Sequence, residues 1–330
     1  MEVLHSQSTT SYTKQQITRL LTPYALLFIF CLSLLSCQEE KDELPFQVLY
    51  SNNTLAIDDL IIDGNALIGV GGDTWEKGIS LNHNLDNGET TLETVSNKRI
   101  FTLFKDGEQI KAAGVDARIY ENLQEQSEWP IRKLPAWGII KDVIKTSTGY
   151  VAIGGKSFKN GYIYLLDQEM NWVEEIEVDQ ELTAIEKGQE NTYIISAFGG
   201  LMSLDANNNI NLLPNKGDFF TDLAITYRSG LCIGSNGTLL KSEDMGQTWS
   251  TLTEGNQLLR ENDQWNTILS VPDGWIIGGR NGHISLITRE HEVLKRWKVD
   301  QDIDILSLAL YGPRLFIGGR FGEIGYVELP

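Results

Sequence analysis

Cysteine is nearly absent: the 330-residue chain holds three, Cys31, Cys37 and Cys232. That rules out a disulfide framework and any metal site built on cysteine clusters. Histidine is as scarce. His5, His83, His283 and His291 show no ligand spacing, so no metal is expected. Positive charge is short as well, with 27 Lys and Arg against 45 Asp and Glu and a net charge of −18. An acidic surface repels nucleic acid and anionic membranes, so neither is expected as a partner through a basic face. No Gly-x-Ser-x-Gly elbow occurs, and the glycines open strands rather than phosphate-binding helices. No catalytic residue and no cofactor is assigned. What remains is 41% hydrophobic and 22% charged, with 31 Gly and 8 Pro, a globular composition large enough for a substantial core.

The one long apolar run lies near the start. Lys14 and Arg19 precede residues 24–35, about a dozen apolar positions, which fits a signal-peptide core better than a membrane span of roughly 20. Leu34-Leu35-Ser36-Cys37 then resembles the bacterial lipobox. The resemblance implies cleavage before Cys37 and a diacylglyceryl group on its sulfur; the alternative is an uncleaved anchor or a coincidental cysteine. Gln38-Glu-Glu-Lys-Asp-Glu43 is too polar to fold alone and reads as a solvated tether. It also resembles the acidic export signals of Bacteroidetes-type surface lipoproteins. With Gln38 rather than Asp after the cysteine, the expected address is the outer membrane, facing outward, with a periplasm-facing placement as the alternative. The chain thus divides into a signal at 1–36, a tether at 37–44 and a folded unit at 45–330. Cys31 leaves with the signal, and Cys232, mid-strand, reads as a small core hydrophobe.

The folded unit repeats. A small residue ends a short apolar run at Gly71, Gly114, Gly154, Ser196, Gly234, Gly278 and Gly318, at intervals between 38 and 44 residues. A period near 40 with several short strands per unit predicts an all-β chain: one seven-bladed β-propeller of four-stranded antiparallel blades. The last unit has room for three strands, and residues 46–50 stand unpaired ahead of the first. A ring with no free edge requires those residues to supply the outer strand of the last blade.

The fullest copy of the repeat is residues 221–249. It ends in Ser242-Glu-Asp-Met-Gly-Gln-Thr-Trp249, which resembles the Asp-box, or BNR motif, of β-propellers. Asp244 can accept turn N–H groups, Gly246 can take positive φ, and Trp249 can bury its ring against the next blade. Ser242, Asp244, Gly246, Thr248 and Trp249 are therefore read as structural. A relaxed copy is Asp167-Gln-Glu-Met-Asn-Trp172. The repeats resemble the Asp-box propellers of the photosystem II stability/assembly factor type over residues 60–329, which implies a non-catalytic ring that holds protein partners. Sialidases share the box. The rest of their pattern is missing, since the nearest fragment to their Arg-Ile-Pro motif is the reversed Pro130-Ile131-Arg132.

Propeller B–C hairpins and D–A connections open on one face, where the copies disagree. Two long hairpins, Gly71-Gly-Asp-Thr-Trp75-Glu-Lys-Gly78 and Gly154-Gly-Lys-Ser-Phe158-Lys-Asn-Gly161, each project an aromatic. Trp137, Phe219 and Trp265 fall in D–A connections, and Lys156, Arg280 and Arg320 follow Gly pairs, with Asp73 and Asp116 acidic in the first two units. Trp75, Phe158, Trp137, Trp265, Lys156, Arg280 and Arg320 are the candidate ligand-binding rim, suited to a sugar or an anionic peptide. The alternative is that the rings brace loops and the charges are ordinary surface. A second polar ring, Asp59, Thr102, Asp142, Thr183, Asp222 and Asn266, would circle the channel mouth, either as a cation or polyol site or as Asx-type caps of the D–A turns. The expected function is a lipid-anchored cell-envelope binding or scaffold module for a protein or glycan partner, monomeric or within an envelope complex. Membrane contact would be through the lipid alone. The alternative is a sialidase-like glycoside hydrolase or a glycan-binding subunit of a surface nutrient-uptake system.

Overall fold

The computed structural model describes residues 42–51, 54–73, 76–121, 129–215, 217–255 and 264–330. The expected signal, Cys37 and Trp75 lie outside these residues. Among the described residues regular structure is β throughout, apart from one 3-10 turn at Arg280–Gly282. The pattern explains this. Second strands such as Tyr150–Ser157 bury six residues in succession, which requires cover on both sides. Outer strands such as Trp172–Val178 interleave glutamates with apolar residues and leave one face in water.

The strands form seven sheets around a ring. Blade one runs Ala56–Asp63, Ala66–Gly72, Gly78–Asn84 and Thr90–Ser96, and blade two Ile100–Asp106, Gln109–Gly114, Arg118–Tyr120 and Ile131–Lys133. Blade three is Ile139–Lys145, Tyr150–Ser157, Asn160–Leu166 and Trp172–Val178; blade four is Leu182–Lys187, Tyr193–Ala197, Gly200–Leu204 and Ile210–Leu213. Blade five has Phe220–Thr226, Ser229–Gly234, Leu239–Ser242 and Ser250–Thr253. Blade six has Trp265–Val271, Gly274–Gly279, His283–Thr288 and Val293–Val299, and blade seven Ile305–Tyr311, Arg314–Gly319 and Glu323–Glu328. Each first strand touches the first strand of the next blade, and that of blade seven returns to blade one.

The ring closes as the unpaired N-terminal run requires. Gln47–Ser51 lies antiparallel on Glu323–Glu328, with Gln47 opposite Tyr326, as the fourth strand of blade seven. One part of the expected tether is ordered. Asp42–Leu44 adds a parallel fifth strand to blade six, Asp42 opposite Trp297. Its two acids face outward while Leu44 is buried with Trp297, Val299 and Ile303, so the acidic composition concealed a single inward residue.

The core is divided rather than central. Seven buried clusters each join residues of two adjacent blades, including the pair formed by blades seven and one. Every first strand also slips register against its second at the same place, between Ile57 and Asp59 in blade one and Ile305 and Ser307 in blade seven. The other five blades repeat that slip. A bulge of this kind bends the strand and re-aims one side chain.

Candidate functional site

The register fixes the phase of the repeat. Opposite the residue before each bulge stand Gly71, Gly114, Gly154, Ala197, Gly234, Gly279 and Gly319. Ser196, Gly278 and Gly318 were therefore one residue early. Blade four uses Ala where others use Gly, and the Gly pairs of blades six and seven hide the slip. The position demands a small residue because the strands approach closely: a Cβ on Gly154 would lie 1.8 Å from the carbonyl oxygen of Ile139. In strands one residue of phase moves a side chain to the other face. The inner ring is thus Asp59, Thr102, Asp142, Ala184, Asp222, Thr267 and Ser307, polar in every blade but the fourth, and Thr183 and Asn266 are bulge residues.

The bulge residues Asp58, Phe101, Lys141, Thr183, Thr221, Asn266 and Leu306 line the channel mouth, a cavity of about 300 Å³. Just below, three aspartates staple blades together. Asp59 accepts the N–H of Leu60 and that of Leu103 in the next blade, at 2.8 and 2.7 Å. Asp142 accepts Val143 and Ile185, and Asp222 accepts Leu223 and Ile268, in the same way. Both oxygens of each carboxylate are therefore engaged. These are inter-blade staples, not caps of the D–A turns. Among the described residues no group of His, Cys, Asp or Glu is arranged to hold a metal ion. Burial pushes Asp59 and Asp222 up to about 7 and Asp142 to about 6, with their mutual repulsion adding to the rise of Asp59 and Asp222. Glu186, facing them, reaches about 8, again chiefly through burial.

Around this mouth the rim has two arcs. One, from blade six round to blade three, is ionic. Arg99 grips Asp58 through two bonds of 2.6 and 2.7 Å, and Arg99 and Lys141 both lie over the Phe101 ring. Lys141 also approaches Glu181 at 3.7 Å. Arg280 and Arg320 converge on one oxygen of Asp304, at 4.0 and 3.3 Å. Lys98 and Arg118 share Asp116.

The other arc, across blades three to five, is aromatic. Phe158 and Phe219 are 68% and 47% exposed, and with Phe198 they form a triangle of rings with centroids 5.4 to 6.3 Å apart. Those separations suit edge-to-face packing. Phe198 was missed in the sequence: it occupies the position of Arg280 and Arg320, each donating its backbone N–H to the carbonyl of the residue just before the first strand of its own blade. The one-residue slip in blade four masked it. Trp137 is 73% exposed with Lys133 over its ring, and Lys156 is exposed at the end of its strand. Trp265 does not belong to the rim. It is 5% exposed, the first residue of its strand, and packs with Leu231, Ile233 and Trp275 between blades five and six. As a D–A aromatic it looked like Phe219, but it sits one position later, on the inward side of the strand.

Beside the triangle is a pocket of about 360 Å³ lined by Phe198, Gly199, Gly217, Asp218, Phe219 and Asn236, among others. Asp218, 9% exposed, accepts the N–H of Phe219 and the Asn236 side chain on Oδ1. Its Oδ2 is buried and, among the described residues, has no partner.

At the opposite face three turns cap themselves. Asp244 takes the Ser242 hydroxyl and the Thr248 N–H on Oδ1 and the Thr248 hydroxyl on Oδ2. Gly246 stands at φ +86°, and Trp249 donates its indole N–H to the Gly246 carbonyl. The Trp249 ring packs with Ala184, Ile194 and Leu201, so it binds the preceding blade rather than the next. Asp167 caps its turn likewise, and so does Asp205 in blade four, a copy that the sequence had not revealed.

No protein-family model and no curated protein matches the chain. Among solved structures it is similar to the WD40 β-propeller domain of Doa1, at 12% identity and a TM-score of 0.66, over 86% of this chain and 97% of that one. It is also similar to the computationally designed Ika8 protein, at 13% identity and a TM-score of 0.58, over 87% of this chain and all of that one. The likeness is one of fold.

Proposed function

We propose that the protein is a non-catalytic binding module: a seven-bladed ring, tethered through lipid on Cys37 at the outer membrane, that presents its B–C/D–A rim to a protein or glycan partner. The observation that carries this reading is the contrast between faces. Three turns of one face are capped by their own side chains, while the other exposes Phe158, Phe219 and Trp137 and holds a pocket lined by Phe198 and Phe219. Exposed aromatics at a rim are the groups that anchor interfaces. The Asp-box resemblance to assembly-factor propellers supports the same reading. A sialidase-like hydrolase draws less support. Such chemistry needs two opposed carboxyl groups: among the described residues Asp218 is the one carboxylate lining the pocket beside the triangle, and Asp59, Asp142 and Asp222 at the channel mouth have both oxygens engaged by backbone N–H groups.

Two measurements test the proposal. Cys37→Ser should move the protein from the membrane fraction to the soluble fraction; retention in the membrane overturns the anchor. Phe158→Ala with Trp137→Ala should abolish capture in a pull-down or on a glycan array. Unchanged capture overturns the rim.

A further inference from the structure

We propose that the pocket between blades four and five holds a cationic side chain, the ammonium of a lysine or the guanidinium of an arginine, presented by the partner of this rim. The inference deepens the binding-module reading and rests on it.

The pocket offers acceptors and π-faces. Asp218 is nine-tenths buried and lines it with an oxygen that no donor meets. The fold makes space for that oxygen: a Cβ on Gly234 would stand 2.7 Å from Oδ2, so the small residue of blade five is what lets the carboxylate sit there. Behind the lining residue Gly199, Gln180 Oε1 is also buried and without a donor among the described residues, 3.1 Å from where a Gly199 Cβ would be. Over the opening stand Phe198 and Phe219, whose ring faces carry partial negative charge. A buried acceptor left unmet costs free energy, and a carboxylate costs more than an amide. The missing group must bring N–H donors and positive charge together. A sugar hydroxyl supplies donors without charge. An anionic peptide would set a carboxylate against Asp218. The net charge of −18 adds long-range attraction for a basic partner.

Ligand-observed saturation-transfer NMR tests this with three capped tripeptides, Gly-Lys-Gly, Gly-Arg-Gly and Gly-norleucine-Gly, and methyl glucoside as the sugar probe. The full mature chain should bind the lysine or arginine peptide and not the norleucine one. Binding should weaken about tenfold or more in Asp218→Asn, as expected for losing a charged hydrogen bond. Phe219→Ala, at an exposed position, should weaken it too, and Tyr227→Ala, exposed at the opposite end of blade five, should leave it unchanged. Thermal melts confirm that the variants fold. Equal binding of the norleucine peptide, binding of the glucoside alone, or indifference to both Asp218→Asn and Phe219→Ala overturns the proposal. Lys216 lies outside the described residues, and binding that appears only in Lys216→Ala would assign the pocket to the chain itself and overturn it as well. If the cation fails while Phe158→Ala with Trp137→Ala still abolishes partner capture, the ligand assignment is wrong and the binding module stands. If no capture depends on the rim, the module reading falls first.

Discussion

The two arcs of the rim are built on the same repeat and solve opposite problems. In the ionic arc each charge has an answer within the chain: Asp58 has Arg99, Asp304 has Arg280 and Arg320, and Asp116 has Lys98 and Arg118. In the aromatic arc three rings meet beside a carboxylate that is only half answered. Charge density therefore misleads as a guide to binding. The arginines that drew attention in the sequence are held by acids, whereas the unmet demand sits where positive charge is absent from the described pocket lining.

The contrast is open to test by stability, since self-answered groups should cost much to remove and unanswered ones little. Asp58→Ala strands a largely buried guanidinium and should destabilise the ring by about 3–5 kcal/mol in urea or thermal melts. A loss under about 1 kcal/mol would place the pair with ordinary surface bridges. The throat between the arcs should show itself by pH. Asp59, Asp142, Asp222 and Glu186 titrate above the usual carboxylate range, so near neutrality the folded chain holds protons the unfolded chain has released. Stability should then fall as pH rises from about 6.5 to 8, with a lower urea midpoint at pH 8, and Asp222→Asn should flatten that slope. His83 and His291, whose pKa values burial lowers, act in the reverse sense as pH falls through about 6.5, so the comparison belongs above that point. Arg320→Ala removes a half-exposed bridge and should cost under about 1 kcal/mol. Phe158→Ala should cost least, about 0.5 kcal/mol, while changing partner capture most.

The architecture was legible because it is written many times. Blade number, strand order and the closing strand follow from a small residue recurring near every fortieth position and from one orphan apolar run. The site was less legible for the same reason. A repeat announces its shared residues, and a binding site is made where copies differ. One residue of phase error in blade four hid Phe198, and sequence alone could not separate Phe219, turned outward, from Trp265, turned in one position later. Asp218 carried no signal among 45 acids, because what marks it is a missing partner.

The strand that shuts the ring also sets an order of events. Gln47 and Tyr326, joined by a side-chain hydrogen bond of 2.5 Å, are 279 residues apart in the chain. Gln47–Ser51 is synthesised long before the strand it pairs with, and a contact of that separation is slow to form. Until residues 323–328 arrive, the outer edge for Gln47–Ser51 does not exist, and blade seven lacks the strand that closes the ring. A chain truncated before Glu323 would keep six complete sheets' worth of sequence and still present raw edges, the state most exposed to aggregation.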